Sequence, residues 1–337
     1  GYLTANWSIL KAKESLTKVS RKFGIKVLFF DGRGGPPARG GGNTHQFYSS
    51  LGDFIESDEI QLTVQGQTIS SNFGTIKSSQ YNMEQLISSG IKNRILSNSE
   101  VFNKKNRKTI EKLSSISYNS YKDFKSHPSF IPYLEKMSTI KYYSKTNIGS
   151  RPSKRGVKGE AFNFDKLRAI PFVGSWNQLK QNVPGFYGLG TSINHFYKNN
   201  KIKDVKILYE EVPFFRALVS NSMMSLTKSF FELTSYMSKD EEFGEFWKII
   251  HDEYILTKKM LLKISNFKEL MENEPANKLS IQTRENVVMP LITIQQYALQ
   301  IVKEIESGEI DNLKKPIFEK MITRSLYGNI NASRNSA

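Results

Sequence analysis

Apolar positions open the chain at a helical rhythm. Leu3, Trp7, Leu10, Leu16 and Val19 recur at mostly helical spacing across residues 2–21, with Lys and Ser between them. This predicts an amphipathic helix that ends at Phe23-Gly24. Ile25-Lys26-Val27-Leu28-Phe29-Phe30 follows at once, apolar on both faces, as expected for a strand buried in a sheet or barrel. A helix, a strand and then a special loop at the strand's C-terminal end is the local order of an α/β barrel. Residues 45–51 are short and ambiguous, while residues 59–69 alternate polar and apolar, predicting an extended segment turned at Gly66.

From residue 80 the rhythm is helical again. Met83, Leu86, Ile87 and Ile91 form one stripe, and Ile110, Leu113, Ile116, Tyr121 and Phe124 a second, with a surface excursion expected over the Asn/Ser/Lys-rich residues 93–108. Residues 167–173 read as a short strand-like run stopped by Pro171. Helices are expected over about 210–237, 240–264, 283–306 and 313–327, and no internal repeat is visible.

Between these patterned segments lies a stretch that cannot build a core. Residues 31–42 hold six glycines, two prolines and two arginines, with no large apolar side chain. Glycine lets a ligand approach the backbone, and Arg33 and Arg39, each followed by Gly-Gly, offer planar, permanently charged forks for carboxylate or phosphate oxygens. The loop reads as an anion-binding segment at the mouth of a strand. Composition agrees with an anionic ligand: 48 Lys+Arg against 32 Asp+Glu give a formal charge of +16 over 337 residues. The excess is local, because residues 91–158 carry 16 basic and 4 acidic side chains, a net of +12. A second basic, glycine-containing loop spans 149–162, with Arg151, Lys154, Arg155 and Lys158.

Without cysteine there are no disulfides or thiolate metal sites, and a reducing cytoplasm is the default. No apolar run approaches the roughly 20 residues that span a bilayer, so neither a membrane nor a signal peptide is expected. The opening Gly1-Tyr2-Leu3 enters a helical pattern without a methionine, which suggests a fragment or processed product.

Taken together, these patches resemble phosphoenolpyruvate carboxylase. Phe29-Phe30-Asp31-Gly32-Arg33-Gly34-Gly35 with Arg39-Gly40-Gly41 is similar to that family's glycine-rich loop. Then come, in the family's order, Thr63-Val64-Gln65-Gly66-Gln67, Gly149-Ser150-Arg151-Pro152-Ser153-Lys154-Arg155, Leu167-Arg168-Ala169-Ile170-Pro171-Phe172, Ser280-Ile281-Gln282-x-Arg284 and Arg334-Asn335-Ser336-Ala337. The resemblance implies a mainly α protein with the C-terminal part of an α/β (TIM-type) barrel, about 1–175 barrel-derived and about 176–337 helical with an effector site. It implies anaplerotic carboxylation of phosphoenolpyruvate by bicarbonate to oxaloacetate and phosphate, with Mg²⁺ or Mn²⁺, in a cytoplasmic homotetramer.

By the same resemblance, Arg33 and Arg168 hold phosphoenolpyruvate with Gly34 and Gly35, Arg39 contacts carboxyphosphate or enolate, and Arg151 is a further active-site arginine. Lys228, Arg284 and Asn335 match an inhibitor pocket for aspartate or malate, which Arg39 also reaches. Asp31 stands where the family usually has histidine, an electrostatic change against an anionic substrate unless arginine or metal pairs with it. Ala38 replaces a glycine after two prolines, stiffening the loop, and Ser336-Ala337 replaces the family's usual Thr-Gly ending. The family's metal ligands and catalytic histidine lie N-terminal to the matching part, none of His45, His127, His195 and His251 sits in a matching motif, and the chain alone is not expected to turn over.

Two other readings compete. Arg-Gly-Gly with pI ≈ 9.6 and 12% aromatics could mark an RNA-binding protein, although a single pair after a buried strand is unlike repeated, disordered RGG tracts. Asp31 could also mark a catalytically impaired homologue.

Overall fold

The helical rhythm is realised over most of the chain. A computed structural model describes residues 1–31, 44–57, 59–62, 67–96, 102–145, 167–309 and 311–333. Its helices are α1 (Tyr2–Lys22), α2 (Thr44–Ser49), α3 (Gln67–Phe73), α4 (Ile76–Leu96), α5 (Lys104–Ser126), α6 (Phe130–Met137), α7 (Ala169–Gln178), α8 (Leu189–Lys198), α9 (Ile202–Glu211), α10 (Pro213–Thr227), α11 (Gly244–Ser265), α12 (Pro275–Ser307) and α13 (Lys315–Ser333). The strands β1 (Phe29–Asp31) and β2 (Ile60–Leu62) pair in parallel, Phe29 opposite Ile60 and Asp31 opposite Leu62. The chain divides into two compact units: Gly1–Lys122, Gly185–Leu226 and Glu253–Glu272 form the first, and Asp123–Pro184, Thr227–Asp252 and Asn273–Ala337 the second.

In the first unit, Leu3, Trp7 and Leu10 bury the inner face of α1, and the Trp7 ring packs on Phe102 and Phe214. Burial then departs from the predicted stripe. Leu16 and Val19 are exposed, and the inner face continues through Lys13 and Thr17, which lie at the next helical positions after Leu10. Thr17 Oγ1 accepts the Glu56 N–H at 3.0 Å, and Lys13 meets a buried carboxylate described below. The strand is also shorter than expected: Ile25 and Leu28 precede it, and Phe30 is 65% exposed. A three-residue strand turns alternate side chains to opposite faces, so only Phe29 and Asp31 point inward.

The second unit is built around aromatics. Phe124, Phe130, Tyr133, Trp176, Phe243 and Phe246 are all buried, with Phe124 stacked on Phe246 and Tyr133 on Trp176. α12 and α13 pack antiparallel: the Gln295 amide reaches Ser325, and Ala298, Val302, Ile322 and Leu326 close a core between them.

Several boundaries correct the sequence reading. Residues 169–173 are helical rather than strand-like, because Pro171 stands in the first turn of α7, where its missing N–H has no intrahelical partner to lose. The expected helix 210–237 breaks at Pro213, which cannot continue α9 and opens α10 instead, and Phe231–Lys239 is a 3₁₀ segment. Of the extended segment 59–69, only Ile60–Leu62 is strand, and Ile69 lies in α3; positions 63–66 fall outside the described residues. The surface excursion narrows, since α4 reaches Leu96, α5 begins at Lys104, and Asn106 is buried with its amide on Glu211 at 3.0 Å. Residues 44–49 resolve as helix. α12 starts earlier than expected, with Pro275 at its first position, and ends at Gly308 in the left-handed region (φ 88°).

Candidate functional site

In the first unit β1 delivers Asp31 to a buried position at the strand's C-terminal end. One carboxylate oxygen, Oδ2, accepts from both the Lys13 ammonium and the Tyr48 hydroxyl, each at 2.6 Å. The ammonium also lies 5.2 Å from the Phe29 ring centroid and 5.9 Å from that of Tyr48. Burial, with the hydrogen bond and negative charge of Asp31, pushes the Tyr48 hydroxyl far above the usual tyrosine range, so it stays protonated and donates. Among the described residues the partner that offsets Asp31 is a lysine, where the sequence argument named arginine or metal. Lys13 was missed because it breaks the apolar pattern; a charged residue at an inward helical position was the available signal.

Arg33, Gly34, Gly35 and Arg39, together with Arg151 and Asn335, lie outside the described residues. Arg168 is described. It occupies the cap position before α7 in extended backbone (φ −87°, ψ 154°), half-buried, with no hydrogen-bond partner for Nε among the described residues.

The second unit brings Lys228 and Arg284 into one cleft of about 360 Å³, part of it open to solvent. Lys228 follows the end of α10, Arg284 and Glu285 come from α12, and Asn329 and Ser333 from α13. Lys180 enters from the turn after α7, where it holds φ 55° and its carbonyl accepts the Phe230 N–H at 2.8 Å. Its ammonium lies 2.5 Å from Glu285 Oε2. Arg284 also donates to Ser280 one turn earlier on α12. Three cations therefore converge on one wall-lined space against one carboxylate.

Burial depresses the Lys228 ammonium to about 8, helped by the charges of Arg284 and Lys180 and opposed by Glu285. Burial likewise lowers Lys180, with Glu285 acting against it. A buried cation disfavoured by its neighbours is stabilised by an arriving anion, so the cleft is suited to carboxylate or phosphate. Lys180, Glu285 and Asn329 gave no periodic or motif signal in the sequence, since helix packing alone assembles them with Lys228 and Arg284.

Among the described residues no group of three or more His, Asp or Glu side chains could hold a metal ion, so Mg²⁺ or Mn²⁺ finds no fitting donor set there. No helix among the described residues is long and apolar enough to cross a membrane. The family model for phosphoenolpyruvate carboxylase matches residues 1–334, a span that takes in the glycine-rich loop, Asp31, Arg168 and every cleft residue named above. On that match, the chain belongs to the phosphoenolpyruvate carboxylase family.

Proposed function

We propose that this chain takes part in carboxylating phosphoenolpyruvate with bicarbonate, giving oxaloacetate and phosphate. The observation that carries the reading is the family match over residues 1–334; the loop arginines supply a physical rationale. A bicarbonate oxygen attacks phosphorus, the phosphorus–oxygen bond to the enol breaks, and carboxyphosphate and pyruvate enolate result. Carbon–carbon bond formation at the enolate then gives oxaloacetate and releases inorganic phosphate. Every species is anionic, so fixed cations placed where charge moves are the chief requirement.

Arg33 and Arg168, with the Gly34 and Gly35 backbone, hold phosphoenolpyruvate; Arg39 and Arg151 face the charge that develops on carboxyphosphate and enolate. The Lys13–Asp31 pair supports this reading, because a bare carboxylate one residue from the glycine-rich loop would oppose every anion in the site. The parallel β1–β2 pair, joined through α2, is compatible with a portion of an α/β barrel.

The cleft of the second unit we read as the effector site for a dicarboxylate, with Lys228, Arg284 and Asn335 as ligands. A dicarboxylate that also draws Arg39 would remove that side chain from the substrate, making inhibition a two-position equilibrium driven by differential affinity. A cytoplasmic homotetramer is the assembly proposed. Titrating phosphoenolpyruvate into the protein and into Arg168→Ala tests the substrate role: saturable binding, weakened about tenfold or more in the variant, is expected for the loss of one charge-assisted contact. Equal binding by both proteins would remove Arg168 from the site.

A further inference from the structure

One carboxylate oxygen ties together the elements on either side of the glycine-rich stretch. Asp31 opens residues 31–42 at the end of β1, and Tyr48 lies in α2, which begins two residues after that stretch. Both side chains are buried, and the Tyr48 hydroxyl donates to Asp31 Oδ2 at 2.6 Å. Lys13, from α1, donates to the same oxygen at 2.6 Å while itself only 7% exposed. A buried ion pair is commonly no more stabilising than an apolar pair of the same volume, so stability alone gives no reason for a lysine and a carboxylate at this point. What the pair does supply is charge balance: Asp31 holds the Tyr48 hydroxyl without presenting net negative charge to the residues that follow it.

We propose that Lys13, Asp31 and Tyr48 form a charge-neutral clamp that sets the affinity of the glycine-rich stretch for phosphoenolpyruvate, Lys13 and Tyr48 being positioning residues that act through Asp31. This rests on the substrate reading above and adds to it residues outside the family's arginines. Ordering six glycines around a ligand is costly, and holding β1 and α2 on one oxygen reduces the freedom left to lose. The Asp31 Cα stands two peptide units from that of Arg33, about 7.6 Å at most. Over that distance an unbalanced carboxylate would repel a ligand that carries both phosphate and carboxylate.

Isothermal titration of phosphoenolpyruvate into the protein, Tyr48→Phe, Lys13→Met and the double variant Lys13→Met with Asp31→Asn tests the clamp. Tyr48→Phe keeps the ring and the charge pair, and is expected to weaken binding about three- to tenfold. Lys13→Met is expected to weaken it about tenfold at low salt and much less at about 0.5 M salt, where the exposed charge is screened. The double variant, neutral again and still able to accept from Tyr48, recovers most of that loss. A merely structural role predicts losses indifferent to salt and no recovery, and either result overturns the clamp. Parent-level affinity in Tyr48→Phe also overturns it, and decides the matter even if Lys13→Met fails to fold. Failure of the parent itself to bind phosphoenolpyruvate overturns the substrate reading, and the clamp with it.

Discussion

Asp31 is held in its buried position by two donors, Lys13 and Tyr48, and its removal from either has a calculable direction. Breaking a buried ion pair by deleting one partner typically costs about 3–5 kcal/mol, because the survivor is left charged and unpaired. Lys13→Met is therefore expected to lower the unfolding free energy by about that amount in urea titrations, whereas Lys13→Met with Asp31→Asn recovers much of it. Additive losses in the double variant would mean that the 2.6 Å contact contributes nothing specific.

Lys228 gives a second residue-scale prediction. Its ammonium is lowered from 10.5 to about 8 in the fold, so between those pH values the unfolded chain binds more protons and unfolding free energy rises with pH. Below about 8 both forms are charged and the cost of burying the ammonium is carried in full. Lys228→Met is expected to flatten that rise when urea titrations at about pH 7 and about pH 9.5 are compared with the parent. Anion affinity of the cleft runs the other way, falling as pH passes about 8 and the amine loses its charge.

At the scale of elements, α8 depends on a side chain 62 residues away. Glu253 is buried, and its Oε1 accepts the N–H groups of Gly188 at 3.0 Å and Thr191 at 3.1 Å, while Oε2 accepts the Thr191 hydroxyl at 2.5 Å. A carboxylate at a helix N-terminus satisfies donors that the helix cannot. Glu253→Ala should cost about 2 kcal/mol of stability by thermal or urea unfolding, as expected for lost charged hydrogen bonds. Gly188→Ala should also destabilise, because that residue holds φ +85° and an added Cβ would stand 2.8 Å from the Ser117 carbonyl oxygen.

Elements whose apolar spacing decides their burial were legible in the sequence: the start of α1, the body of α5, and the later half of α12 with α13. Those governed by a buried polar contact were not. Lys13 and Thr17 lie inward on α1 because Asp31 and the Glu56 N–H await them, and hydrophobic periodicity cannot register such pairs. Pro171 misled for a related reason, since proline stops a strand but fits the first helical turn.

At the scale of the whole molecule, the charge of +16 makes association with small anions fall with ionic strength, because a positive field raises encounter rates and salt screens it. A stopped-flow series with phosphoenolpyruvate at rising salt should show the association rate dropping while dissociation changes little. Two residues that the resemblance places in one pocket, Lys228 and Arg284, do share the cleft of the second unit. Its completion by Lys180, Glu285 and Asn329 was not legible in the sequence, because those residues meet only when α7, α12 and α13 pack.

The central proposal is that Arg33, Arg39, Arg151 and Arg168 serve the carboxylation of phosphoenolpyruvate by bicarbonate. Supplying the protein as encoded with phosphoenolpyruvate, ¹³C-bicarbonate and Mg²⁺, and following the label by NMR, tests it directly. The expected result is labelled oxaloacetate with matching phosphate release, and a loss of about 100-fold or more in turnover in Arg39→Ala. Phosphate released without labelled oxaloacetate, or turnover unaffected by Arg39→Ala, would contradict it.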